Sequence, residues 1–200
     1  MSLPELGALL LFATAMAFTP GPNTTLSAAL AANHGLRHAM PFVWGVPVGW
    51  GALLLICSLG LGTLLQAQPL LRGALKWLGL GYMLWLAWKL AQTHRWAQAD
   101  PQRLRVSFGQ GVMLQFVNVK AWMNALVISA GWITVEPRDW AQRLALVLPL
   151  MMFYGLASNF TYAWVGVALR QWLAQGQRLR WFNRLLAAVL VLTVAGMTQL

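Results

Sequence analysis

The stretch MAFTPGPNTTLSAAL, Met16–Leu30, places two prolines, a glycine and an asparagine inside a run that otherwise reads as apolar helix. Pro20 leaves the carbonyl of Met16 without its helical donor, and Pro22 does the same to Phe18. The surrounding run Leu3–Leu30 would span about 42 Å as one helix, against a hydrocarbon core of about 30 Å, so there is length for a break. Beyond the break Asn23 reads as the N-cap of a new helix, followed by Thr24 and Thr25. Freed carbonyls accept from an ammonium group, and a new helix N-terminus offers donors to a carboxylate. Those are the two ends of an amino acid. A proline kink that only shapes packing accounts for the same residues, and the stretch by itself leaves both readings open.

Composition places the stretch in a membrane. Apolar residues make up 59% of the 200-residue chain and charged residues 9%, far from the roughly 45–50% and 25% of globular chains. Mean hydropathy is +0.61. The net charge of +10 comes from cations scattered between apolar runs. That pattern suits the positive-inside rule and argues against a nucleic-acid partner. Cys57 is the only cysteine, which excludes an intrachain disulfide, a paired-thiol redox centre and a cysteine metal site. A cleaved leader is not expected, because a basic n-region is missing and Glu5 is acidic. No residue pattern points to a metal, a cofactor or a catalytic group, so the chain does not read as an enzyme.

The expected fold is a single all-α polytopic membrane domain over residues 1–200 with six transmembrane helices. The spans are read near Leu3–Leu30, Met40–Leu65, Leu70–Lys89, Phe108–Ile133, Leu144–Leu169 and Trp181–Thr198. A polar connector, 94–107, separates a half at 1–93 from a half at 106–200. With the N-terminus outside, the inner loops hold Arg37, Lys89, Arg95, Arg103, Arg105, Arg170, Arg178, Arg180 and Arg184. The outer loops hold Arg72, Lys76, Arg138 and Arg143. Nine against four places both termini on the periplasmic side of an inner (plasma) membrane. Trp96, Trp132, Trp140, Trp172 and Trp181 fall near the expected ends, where indole prefers the interface. Three spans per half make any repeat an inverted one.

A second polar group lies in span four, LQFVNVKAWMN, with Gln115, Asn118, Lys120 and Asn124. A lysine near mid-span costs about 2.5–3.5 kcal/mol on insertion scales, so it is expected to face a cavity or polar partner; a lysine snorkelling to the interface is the plainer alternative. On an unbroken helix Asn118 and Lys120 lie about 200° apart. Either the helix is deformed there, or the two residues serve different surfaces. Gly45 and Gly49 suit close helix packing, with a homodimer as the lesser reading. Tyr154, Asn159, Thr161 and Tyr162 are polar enough to line a path, but read first as ordinary interhelical hydrogen bonds. His34 and His38 read as solvated loop histidines near the inner surface.

Together these residues resemble the LysE/RhtB family of amino-acid exporters. TPGPN in span one looks like its opening signature, LGLGYMLWLAWKLA resembles its span-three pattern, and NVK stands where most members have Asn-Pro-Lys. LQFVNVK and WLAWK are most similar to the branch exporting cysteine and O-acetylserine. Val119 replaces the family's proline, so nothing in the sequence forces span four to break. The resemblance implies that Thr19, Pro20, Gly21, Pro22 and Asn23 form one wall of a substrate site and Asn118 to Lys120 the other, with Gln115 nearby. It implies efflux driven by protons. Lys120 would attract a substrate carboxylate or hold the broken helix ends together. No carboxylate is expected within the spans beyond Glu5 at an edge, which favours a neutral amino acid or derivative, cysteine/O-acetylserine-like or homoserine/threonine-like. The alternatives are an exporter of another small metabolite and a membrane assembly protein that transports nothing.

Overall fold

The computed structural model describes residues 1–60, 67–92, 107–136 and 138–198, and all regular structure among them is helical. Helix α1 (Leu3–Phe18) meets α2 (Pro22–His34) at 50°. Then come α3 (Leu36–Ser58) and α4 (Pro69–Ala91). In the second half α5 (Phe108–Val117) meets α6 (Val119–Ile128) at a break of 73°, and a π-helical turn, Ser129–Ile133, continues α6. The chain then runs through α7 (Trp140–Ala168), the short α8 (Arg170–Leu173) and α9 (Arg178–Thr198). Each half therefore supplies one broken pair and two long helices.

Of the six expected spans, α3, α7 and α9 are each long and apolar enough to cross a membrane alone, and the two bent pairs raise the number to five. The remaining span, Leu70–Lys89, corresponds to α4. Its 23 residues have the length, but Arg72, Lys76 and Lys89 dilute its apolar character, and it is not among the five. The connector at 94–106, with Trp96 and three of the counted arginines, lies outside the described residues, as do residues 61–66 at the end of the second expected span. The second span begins earlier than expected. Gly35, at φ 87°, turns the chain directly from α2 into α3, so His34 closes one helix and His38 lies inside the next.

Both broken pairs start on a reciprocal cap. Ser2 N–H donates to Glu5 Oε2 (2.6 Å) and Glu5 N–H to Ser2 Oγ (3.4 Å). Ser107 and Gln110 repeat the arrangement at 2.8 and 3.3 Å, so each helix start recovers orphan donors.

Helix α3 is the hub, with 56% of its spanning segment buried against 22% for α7 and 28% for α9. Between helices in lipid, close backbone approach replaces the hydrophobic drive, so small residues mark the contacts. A Cβ on Gly45 would overlap the Phe108 carbonyl of α5, and one on Gly49 the Val112 backbone. That glycine face is used within the chain, which removes it as a homodimer surface. Gly166 of α7 lies in the same way against the Ala28 carbonyl, and Gly79 of α4 against Val117, the last residue of α5. Leu11, Trp77, Phe153, Trp164 and Leu192 stand exposed on the outside, where lipid chains would cover them.

Gly45→Ala is expected to force α3 from α5, costing about 1–3 kcal/mol. The thermal unfolding midpoint in detergent should fall, while Gly81→Ala, where no atom stands within 4 Å of the added methyl, should leave it unchanged.

Candidate functional site

The first break ends α1 at Thr19, whose N–H donates to the Ala15 carbonyl (3.2 Å). Gly21 then adopts an extended conformation and Pro22 opens α2. Gly21, and not Asn23, is the N-cap. Its N–H donates to Thr24 Oγ1 (3.0 Å), the backward half of a capping box. Proline suits the first helical position because the N–H it lacks would be an orphan there, and this moves Asn23 into the first turn. Asn23 instead exchanges two hydrogen bonds with Gln115, at 2.9 and 3.1 Å, fastening the start of α2 to α5.

The second break needs no proline. Asn118 is extended at φ −89° and ψ 102°, and its Oδ1 accepts from the Lys120 N–H (3.1 Å). An asparagine that caps its own downstream backbone offers the chain an alternative to continued helix. Trp122 Nε1 donates to the Phe116 carbonyl (2.8 Å), satisfying an acceptor near the end of α5. With the helix bent here, Asn118 and Lys120 reach the same cavity, and the 200° separation of a straight helix does not apply.

The two breaks face each other. Lys120 Nζ donates to the Thr19 carbonyl (3.3 Å), and a Cβ on Gly21 would stand 3.3 Å from the same Nζ. Tyr162 Oη donates to the Phe18 carbonyl (2.9 Å), the acceptor that Pro22 deprives of its helical donor. The carbonyls of Met16 and Ala17 carry no donor among the described residues: Pro20 has no N–H for the first, and the Gly21 N–H has turned to Thr24. At the start of α2 the Asn23 and Thr24 N–H groups have no helical acceptor and lie at the positive end of the helix dipole, whereas at the start of α6 Asn118 takes the Lys120 N–H at its side chain and the Ala121 and Trp122 N–H groups at its carbonyl.

Between them lies a cavity of about 90 Å³. Thr19, Gly21, Pro22, Asn23, Asn118 and Lys120 all line it; Pro20 is exposed and does not, and Gln115 is fully buried behind Asn23. Among the described residues, Lys120 is the one charged side chain in its wall, and no carboxylate lines it. The wall can therefore hold a carboxylate at Lys120 and the start of α2 and an ammonium at the α1 carbonyls. Among the described residues, no three His, Cys, Asp or Glu side chains gather closely enough to hold a metal ion.

Sequence reasoning had Tyr154 and Asn159 as path-lining residues only as its lesser reading, and left out most of the rest of the wall. Helix α7 contributes Met151, Tyr154, Gly155, Ser158 and Asn159, and α3 contributes Val46 and Trp50. The α7 residues recur at i, i+3, i+4, i+7 and i+8, a single helical face whose polar members were the available signal. Asn159 also makes an interhelical bond, accepting from Ser27 Oγ (2.8 Å). One turn beyond Ala13 and Met151, the apolar side chains of Leu9 and Val147 belong to one packed cluster with Ile133. At the end of these helices Arg143, buried, stands 3.6 Å from Glu5, while Trp132 Nε1 donates to the Glu5 carbonyl (3.1 Å).

The chain is 31% identical over 189 residues to a cysteine/O-acetylserine efflux protein of Klebsiella pneumoniae, covering 93% of each chain. It is 29% identical over 178 residues to a protein of the same description from Escherichia coli K12, covering 88% of each. No solved structure matches the chain. Residues 14–197 match the family described as LysE type translocator, and that span takes in both helix breaks. The chain belongs to the LysE type translocator family.

Proposed function

We propose that this protein exports small neutral amino acids or their derivatives from the cytoplasm, with cysteine- or O-acetylserine-like compounds first and homoserine- or threonine-like ones next. The cavity between the two breaks carries the reading. It combines one cation, the start of α2 and open α1 carbonyls, and among the described residues it holds no carboxylate of the kind a cationic side chain would need. The names of the two relatives point to the same substrates.

In this reading Lys120 exchanges partners. Empty, its ammonium is held by the Thr19 carbonyl. When an amino acid enters, Lys120 turns to the substrate carboxylate, and the released Thr19 carbonyl joins those of Met16 and Ala17 in accepting from the substrate ammonium. Gly21 leaves room for the exchange, since a side chain there would meet Nζ. Gln115 positions Asn23, and Asn118 positions the start of α6. The two halves, each with a capped broken pair, are read as inverted repeats that rock about the cavity in alternating access. Protons crossing the inner membrane supply the drive, and both termini face the periplasm.

Uptake of labelled O-acetylserine into inverted vesicles tests the reading. Lys120→Met should weaken apparent affinity about 10- to 100-fold, the loss of a charge-assisted hydrogen bond, with normal membrane insertion. Pro20→Ala combined with Pro22→Ala should abolish uptake. Dissipating the proton gradient should stop accumulation. Undiminished uptake by both variants would remove the site, and saturable uptake of lysine alone would remove the substrate class.

A further inference from the structure

The α6 side of the cavity is a stripe at helical spacing: Lys120, Ala121, Asn124 and Ile128. Lys120 and Asn124 are four residues apart, so they share a face with their Cα atoms about 6 Å apart along the axis. The other amides of the wall are engaged by the protein. Asn23 pairs with Gln115, Asn118 caps Lys120, and Asn159 holds Ser27 and the Gly155 carbonyl. Ser158 donates to the Gly155 carbonyl as well. Asn124 differs. It is half-buried, it lines the cavity, and its side chain makes no hydrogen bond to any described residue.

A side-chain amide offers two donors and an acceptor. Half-buried on the cavity wall and without a protein partner, it is free to hydrogen-bond a ligand there. The placement relative to Lys120 says which part of a ligand that is. Lys120 carries its ammonium to Thr19 and Gly21 at the break, beside the α1 carbonyls that take the α-amino group, and Asn124 lies one turn further into α6. With the two charged ends of the substrate held at the break, what is left to reach Asn124 is its side chain. Ala121 and Ile128, the apolar members of the stripe, leave Asn124 as the polar group that α6 offers beyond Lys120.

Resting on the exporter reading above, we propose that Asn124 is the specificity-determining residue for the substrate's side chain. It donates a hydrogen bond to an ester, hydroxyl or amide oxygen there and so favours oxygen-bearing neutral amino acids over aliphatic ones of equal length. A site built to hydrogen-bond a substrate group rejects the analogue that lacks it, because the buried partner is then left unpaired.

The test is competition for labelled O-acetylserine uptake in inverted vesicles by unlabelled O-acetylserine and by norleucine, which matches its chain length without the side-chain oxygens. Wild-type protein should prefer O-acetylserine. Asn124→Leu should reduce that preference about tenfold by raising the KM for O-acetylserine, with inhibition by norleucine changed less than twofold. Asn124→Ser and Asn124→Ala read the same ratio should the leucine variant fail to insert. An unchanged ratio in variants that still transport overturns the role of Asn124 and leaves the exporter reading standing. An equal loss of maximal rate for all substrates, with the ratio preserved, marks a structural residue and also overturns it. If the wild-type protein shows no saturable uptake, the exporter reading falls and this inference with it.

Discussion

A helix that stops inside a bilayer exposes carbonyl and amide groups that hydrocarbon cannot satisfy, each at a cost of several kcal/mol. This chain breaks two of its candidate spans, and the first break meets its needs largely through residues of the opposite half. The Thr19 carbonyl takes Lys120, and the Phe18 carbonyl takes Tyr162. Asn23, displaced from the cap, takes Gln115. The close glycine contacts serve the same end, since Gly45 and Gly49 on α3 bring α5 near enough for Gln115 to reach α2. Stability and site geometry thus rest on one set of contacts.

The groups left over decide the chemistry. With the breaks capped in this way, Met16, Ala17, Thr19, Asn23, Thr24 and Lys120 still line one cavity. Open carbonyl acceptors, the start of α2 and a lysine are the groups that the two ends of a zwitterion require. Toward the start of α1 an apolar cluster packs beneath the Glu5–Arg143 pair and Trp132. That ties the first broken pair to the second at their far end.

Much of this was legible in the sequence, and what was not has physical reasons. The first break could be read because proline removes a donor wherever it stands, and the carbonyl of Phe18 is found with a side-chain partner accordingly. The second break could not, because Val119 permits a helix. What ends α5 is the side chain of Asn118 turning to its own downstream backbone, a local competition that residue identity allows but does not compel. Asn23 was misplaced by two positions because Pro22 claims the first helical turn. Tyr154 and Asn159 read first as ordinary helix contacts, since a polar stripe on α7 does not say whether it faces a neighbour or a cavity. The charged helix α4 fits its expected length but not its expected apolarity.

The central claim is that the two breaks recognise the ends of an amino acid together. Equilibrium binding to the purified protein tests it most directly, comparing labelled O-acetylserine with its decarboxylated counterpart, O-acetylethanolamine. If Lys120 and the start of α2 hold the carboxylate, O-acetylserine should bind at least about tenfold more tightly, and Lys120→Met should erase most of that advantage. Equal affinity for the two compounds in the wild-type protein would contradict it.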